Sequence, residues 1–286
     1  MSRARRPRAI LSGLVAASLL ILTLGSPAGA ETLRPTPAAA PHDYEKLWHD
    51  GCFGFAPDTK PHPGCVFGDT TSTYKVVIVG DSHTSDFFPA FNKIAKARHW
   101  KLYTYVKADC PFIDLPIRNA ADMSNYPQCT EWNNYVLARL KRLQPDLTIT
   151  IPFRWIFPLD ASQGSPTATG AAIGRMLAQI SGQKVVIVDS PFSNRNVPSC
   201  VAAHGADACA IPRSQVLSGG INVREHQAAE VSGGFYINLT PQFCPTWPCR
   251  VVTNGILEFR DNHHLTATYT ASLTPIVDAA LQSVLH

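Results

Sequence analysis

The sequence predicts a single α/β domain built on a parallel sheet with helices on both faces. Two observations carry that expectation. Short, apolar, β-branched runs of strand length alternate with longer segments of helical spacing. Residues 31–286, which remain once an atypical N-terminus is set aside, are enough for one sizeable core.

The first clear element is Lys75-Val76-Val77-Ile78-Val79-Gly80, apolar and β-branched from Val76 to Val79 and closed by a glycine, as a strand buried on both faces would be. Comparable runs follow at Lys101–Val106, Asp146–Ile151, Lys184–Asp189 and Phe235–Leu239. Helical spacing marks Phe87–Ala97, Glu131–Leu143, Thr169–Ile180 and Ala267–Leu285. Parallel strands need crossover connections, and the crossovers cover the sheet. The loops Cys110–Cys129 and Ser190–Pro212 are long and rich in Pro, Asn and Ser, the kind of segment in which substrate recognition is built. No repeat has the period of a solenoid or propeller.

The N-terminus reads as an export signal at residues 1–30. Arg3, Arg5, Arg6 and Arg8 precede the apolar run 10–24, and Ala28-Gly29-Ala30 offers a small-residue cleavage site before Glu31. That run falls short of the roughly 20 residues that span a bilayer. The expected location is therefore secreted or periplasmic. Residues 31–45, rich in Pro, Ala and Thr, read as a flexible spacer, and 46–286 as the folded domain, beginning near Asp43. The chain's formal charge is +4, and the signal holds four arginines, so the mature part is formally neutral. Without a basic stripe, nucleic acid is not an expected partner.

Eight cysteines in an exported chain suggest bridges. Eight permit 105 connectivities. The four local ones, Cys52–Cys65, Cys110–Cys129, Cys200–Cys209 and Cys244–Cys249, would each staple a loop and contribute about 2–3 kcal/mol in the chain-entropy model. No Cys pair has zinc-like spacing, so no metal or other cofactor is expected.

Gly80-Asp81-Ser82-His83 leaves the first strand for a helix, which places the Ser82 hydroxyl at a helix N-terminus. Asp81 is expected to support the turn through its carboxylate. A lone serine keeps its proton, so it needs a base. Asp261-Asn262-His263-His264 supplies one: an Asp three residues before a His can orient the imidazole while the other ring nitrogen faces the serine. His264 is preferred over His263 for that reason.

The two blocks resemble the first and last blocks of the SGNH (GDSL-like) hydrolases. The closest likeness is to the SGNH domains that accompany membrane acyltransferases of the acyltransferase-3 type, which O-acylate envelope glycans. A cysteine-bounded loop before the Gly-Asp-Ser-His strand, Cys110-Pro111 after the second strand and Arg154-Trp155 after the third extend the resemblance to about residues 50–286. It implies a flavodoxin-like three-layer α/β/α sandwich and a Ser82–His264–Asp261 triad acting through an acyl-serine. The wider family's oxyanion donors, a Gly after the second strand and an Asn after the third, are not matched in the sequence. The Ser82 backbone N–H is the remaining expected donor. Arg154 stands near the missing Asn as an expected donor or holder of an acidic glycan, and Trp155 is an expected sugar-stacking residue. The expected substrate is an acylated, chiefly acetylated, glycan or a small ester, with an acyltransferase-3 type membrane protein as an acyl-delivering partner. The alternatives are an inactive glycan-binding module of the same fold and, further off, a metal-dependent phosphoesterase using Asp81, His83, His263 and His264.

Overall fold

The computed structural model describes residues 32–285 together with Met1. The export signal expected at residues 1–30 lies outside the described residues. The body extends from Thr32 to the C-terminus. Its elements, in chain order, are β1 (Phe53–Gly54), β2 (Val66–Gly68), β3 (Lys75–Gly80), α1 (Ser82–Asp86), α2 (Phe88–Ala97), β4 (Lys101–Lys107), α3 (Pro127–Leu143), β5 (Leu147–Thr150) and α4 (Pro166–Ala178). There follow β6 (Gln183–Ile187), α5 (Val197–His204), α6 (Arg213–Val216), α7 (Val223–Ser232), β7 (Phe235–Ile237), α8 (Thr240–Phe243), β8 (Val252–Thr253), β9 (Ile256–Leu257), α9 (Ala267–Ser272) and α10 (Thr274–Gln282).

The main sheet runs in the order β1-β4-β3-β5-β6-β7, and β2 pairs with the same edge of β4 as β1. Every pairing is parallel except that of β2 with β4. The five long-connection strands thus run 2-1-3-4-5, the doubly wound order in which the chain reverses direction between β3 and β5. Alternate residues of β3 enter different cores. Val76 and Ile78 pack with Phe91 and Ile94 of α2 and with Val277 and Leu281 of α10. Val77 and Val79 pack with Val136 and Leu140 of α3, Ile173 and Leu177 of α4 and Ala228 of α7. This is the three-layer α/β/α sandwich that the alternation of runs implies.

Local chemistry sets the helix limits. Ser165 caps α4, its Oγ accepting the Ala168 N–H at 3.1 Å, and Pro166 fills a first-turn position where its missing N–H costs nothing. Glycine lets α4 approach α7: a Cβ on Gly174 would lie 2.6 Å from Val231 Cβ. The helix expected over Ala267–Leu285 is two helices, because Pro275 cannot donate within the helix and a break falls at Leu273. The expected loop Ser190–Pro212 contains α5, capped by Asn196 Oδ1 on the Ser199 N–H at 3.0 Å.

The expectation of a flexible spacer over 31–45 is corrected from Thr32 onward. The Arg34 N–H donates to Gly255 O and Arg34 O accepts from Leu257, which joins this segment to β9. Ala40 is fully buried in the core, and Asp43 accepts the first N–H groups of α9. Composition hid this, because the anchoring is by main chain and by small residues. All four local disulfides are formed.

Candidate active site

β3 ends at Gly80 with φ +148°, and a Cβ there would lie 2.5 Å from Thr84 Oγ1, so a larger residue would collide with the first turn of α1. Asp81 then caps α1. Its Oδ1 accepts the His83 N–H at 2.9 Å and its Oδ2 accepts the Phe153 N–H at 2.8 Å, which ties the turn to the segment after β5. Fully buried, Asp81 holds backbone rather than facing a substrate. Ser82 thereby sits at the carboxyl edge of the sheet, between β3 and β5, where strand order reverses and open sheets of this class bind ligands.

The Ser82 hydroxyl donates to His264 Nε2 at 2.9 Å, and His264 Nδ1–H donates to Asp261 Oδ2 at 2.7 Å. Asp261 Oδ1 accepts the backbone N–H groups of His263 and His264, each at 2.8 Å, so the carboxylate also shapes the loop that carries the base. Those bonds, that of His264 first, hold the Asp261 carboxyl well below its ordinary range although burial alone would raise it. Burial, helped by the Arg260 charge, lowers His264 to about 4 against the pull of Asp261. His264 is therefore a neutral imidazole at neutral pH, able to take a proton from Ser82.

Two clamps bring segments 182 residues apart into contact. Asp86, at the end of α1, accepts from Arg260 Nη1 and, through Oδ2, from the Leu265 N–H at 2.9 Å. One five-residue helix thus presents Ser82 at its start and grips both ends of the base loop from its finish. From the other side, the Ser193 N–H donates to Asn262 O and the Val197 N–H to Asp261 O.

A second Asp–His pair lies beside the first. His83 Nδ1 is hydrogen-bonded to Asp189 Oδ1, and His83 Nε2 to His263 Nδ1 at 2.9 Å. Asp189 closes the strand-end segment after β6, and neither it nor His83 is more than 2 % exposed. Sequence reading left this pair unrecognised. The signal available was the apolar run at 184–189 ending in an aspartate, which alone does not name a partner.

The expectation that Arg154 donates to an oxyanion or holds a glycan is corrected. Its Nε donates to Asp189 Oδ2 at 3.0 Å, Nη1 to Val216 O at 2.7 Å and Ser218 O, and Nη2 to Ser190 O. The guanidinium is buried and spent on protein acceptors. Trp155 is partly buried and lines a cleft of ≈ 560 Å³ with Arg118, Met123, Ile156 and Arg224. Asp109, after β4, takes the left-handed conformation at φ +51° and lines a smaller pocket with Asp81 and Phe153.

Among the described residues, nitrogens of His83, His263 and His264 lie within 4.8 Å of one another and offer three ligands to a metal ion. His83 and His264 use both ring nitrogens in hydrogen bonds, and a metal would have to break the contact to Ser82. The donor set fits a serine–histidine pair better than the carboxylate-rich pair of metal sites that phosphoester hydrolysis uses.

A family model described as the SGNH domain (fused to AT3 domains) matches residues 49–279. Among solved structures, the chain is similar to the periplasmic domain of a lipopolysaccharide acetyltransferase from Salmonella ser. Paratyphi A, at 15 % identity and a TM-score of 0.58, covering 82 % of this chain and 93 % of that one. It is also similar to a carbohydrate esterase family 2 enzyme with a carbohydrate-binding domain from Corynascus thermopiles (Myceliophthora fergusii), at 12 % identity and a TM-score of 0.39, covering 74 % and 67 %. No curated protein matches.

Proposed function

Because this chain belongs to the SGNH domains of the kind fused to AT3 domains, we propose that it is an exported esterase or O-acyltransferase acting on acetyl esters of cell-envelope glycans. The observation that supports this reading is the hydrogen-bonded chain Ser82–His264–Asp261 at the carboxyl edge of the sheet. Ser82 is the nucleophile, His264 the base and Asp261 the residue that orients and charge-balances the imidazole.

As Ser82 Oγ bonds to the ester carbonyl carbon, its proton passes to His264 Nε2 and the carbonyl π electrons move onto oxygen. Collapse of that tetrahedral species breaks the carbon–oxygen bond to the leaving alcohol, which takes the proton from His264. The remaining acyl-serine is opened by water in an esterase, or by a sugar hydroxyl in a transferase, with His264 again accepting the incoming proton. One backbone N–H group is assigned to the developing oxyanion, that of Ser82 in the first turn of α1. Such a donor is worth about 10²–10³ in turnover.

Export and a periplasmic or extracellular site of action agree with four disulfides. No helix among the described residues is long and apolar enough to cross a membrane. In the transferase case, a membrane acyltransferase of the AT3 type delivers the acyl group. Residues 31–45 and 46–286 then act as one domain behind the export signal at 1–30.

The test is labelling with a fluorophosphonate probe together with acetate release from p-nitrophenyl acetate, with and without a sugar acceptor. Labelling and release that disappear in Ser82→Ala support the reading. A folded wild-type protein that neither labels nor releases acetate would sink it and leave a glycan-binding module.

A further inference from the structure

His83 is not used in the mechanism above, yet its surroundings fix the hydrogen-bonding state of His263. Asp189 receives both the backbone N–H and the Nε–H of Arg154, at 3.1 and 3.0 Å, so it is an ionised acceptor and His83 Nδ1–H donates to it. Burial alone would lower His83, but the charge and hydrogen bond of Asp189, with Asp81 and Asp86 behind them, raise it to about 9. The second His83 proton is therefore on Nε2, facing His263 Nδ1 at 2.9 Å, with the two ring planes within 5° of parallel. A ring nitrogen that accepts carries no proton, so the single proton of neutral His263 sits on Nε2.

His263 is partly exposed, and its Nε2 bonds to no protein atom among the described residues. Its ring continues an aromatic row. Phe192 lies 6.2 Å from it at 21°, and Trp155, on the wall of the ≈ 560 Å³ cleft, lies 6.0 Å beyond Phe192. On the reaction side, His264 is 4.0 Å away. Sugars present apolar C–H faces to aromatic rings and polar edges to donors, which is the combination this row offers.

We propose that His263, with its tautomer locked by the Asp189–His83 pair, donates its free Nε2–H to a sugar oxygen beside the scissile ester, as the polar end of a Trp155–Phe192–His263 track that binds a pyranoside chain. This rests on the esterase or acyltransferase reading and adds the residue that selects glycan over a small ester. His263→Phe keeps a ring in the row and removes the donor. His263→Gln returns an N–H near the Nε2 position.

The experiment measures kcat and KM of the mature chain on purified O-acetylated cell-envelope polysaccharide and on p-nitrophenyl acetate. In His263→Phe the ratio of kcat/KM for glycan to that for p-nitrophenyl acetate is expected to fall about tenfold, as the loss of one hydrogen bond to a bound sugar implies, with the change in KM. His263→Gln recovers most of that ratio. ¹⁵N NMR of the wild-type imidazoles is expected to show His263 protonated at Nε2 and bare at Nδ1. Equal losses on both ester types, a Gln variant no better than Phe, an Nδ1–H tautomer, or a Ser82-active enzyme that does not turn over the polysaccharide would each overturn the proposal. Ser82-dependent turnover of p-nitrophenyl acetate separates the two levels: its absence defeats the proposed function, whereas its presence with an unchanged ratio defeats only the role of His263.

Discussion

The acid limb of activity should lie far below that of an ordinary histidine enzyme. His264 must be neutral to accept the Ser82 proton, and burial with the nearby Arg260 charge places it at about 4 rather than 6.5. At pH 5 a group of pKa 4 is about 90 % neutral, whereas one of pKa 6.5 is about 3 % neutral, a difference of about 30-fold in competent enzyme. The second-order rate of fluorophosphonate labelling between pH 4 and 8 reads this directly, because it needs neither glycan nor acceptor. Stability moves with the same proton. A histidine lowered on folding leaves stability intact above its unfolded pKa and costs stability as pH falls from 6.5 towards 4, by about 3 kcal/mol at the lower end. His83 runs the other way: raised to about 9, it contributes stability that is complete below 6.5 and is lost as pH rises through 9. Circular dichroism at each pH separates unfolding from titration. A limb centred near 6.5 in protein that stays folded would refute the assignment of a buried, neutral base.

Three substitutions test how the site is held. Asp86→Ala leaves the buried Arg260 with the Leu265 carbonyl and, 3.9 Å away, Glu45 as its remaining carboxylate partner among the described residues, and orphans the Leu265 N–H; it should cost about 3–5 kcal/mol in urea unfolding and slow Ser82 labelling, since the base loop loses its grip on α1. Arg154→Ala strips Asp189 of its guanidinium and should likewise cost about 3–5 kcal/mol, lowering the thermal midpoint by roughly 10 °C. Its effect should appear in stability before substrate affinity, and an unchanged midpoint with a raised KM would return Arg154 to the binding site. Gly80→Ala forces a Cβ to within 2.5 Å of Thr84 Oγ1 at φ +148° and should cost about 2–4 kcal/mol, measured by the same unfolding curve, with labelling of Ser82 reduced as α1 shifts.

The sheet was readable because buried parallel strands have little choice of composition. Val76 to Val79 are all 1 % exposed or less, and only a run apolar on both sides can occupy that place. α7 was not readable on the same grounds. Its sequence, Val223 to Ser232, mixes polar and apolar residues without a clear face, and it buries Arg224 and Glu225 against α4. What places it is the near approach permitted by Gly170 and Gly174 on α4, a pairwise fit that neither helix states alone. The break at Leu273 was visible in Pro275, but the apolar period continues across it and masks the interruption.

The site divides along a similar line. That Ser82, Asp261 and His264 meet could be expected because the Asp–His spacing is local and the serine follows a strand, so each proposed role has a short-range reason. His83 could not, because its partners Asp189 and His263 are 106 and 180 residues away and its own neighbours give it no role. Arg154 was misassigned for the converse reason: position after β5 suggested a donor to substrate, while the acceptors that consume it come from the segments near Asp189 and Val216. The two aspartate–histidine pairs are consequently unequal in kind. Asp261–His264 keeps contact with the Ser82 hydroxyl, as the proposed proton exchange requires, whereas Asp189–His83 is sealed by Arg154 and, with His83 raised to about 9, keeps its protons at neutral pH. A sealed pair next to the proposed nucleophile cannot serve as a second base. What it can do is hold an imidazolium in place, and the only imidazole its Nε2–H bonds to, among the described residues, is His263.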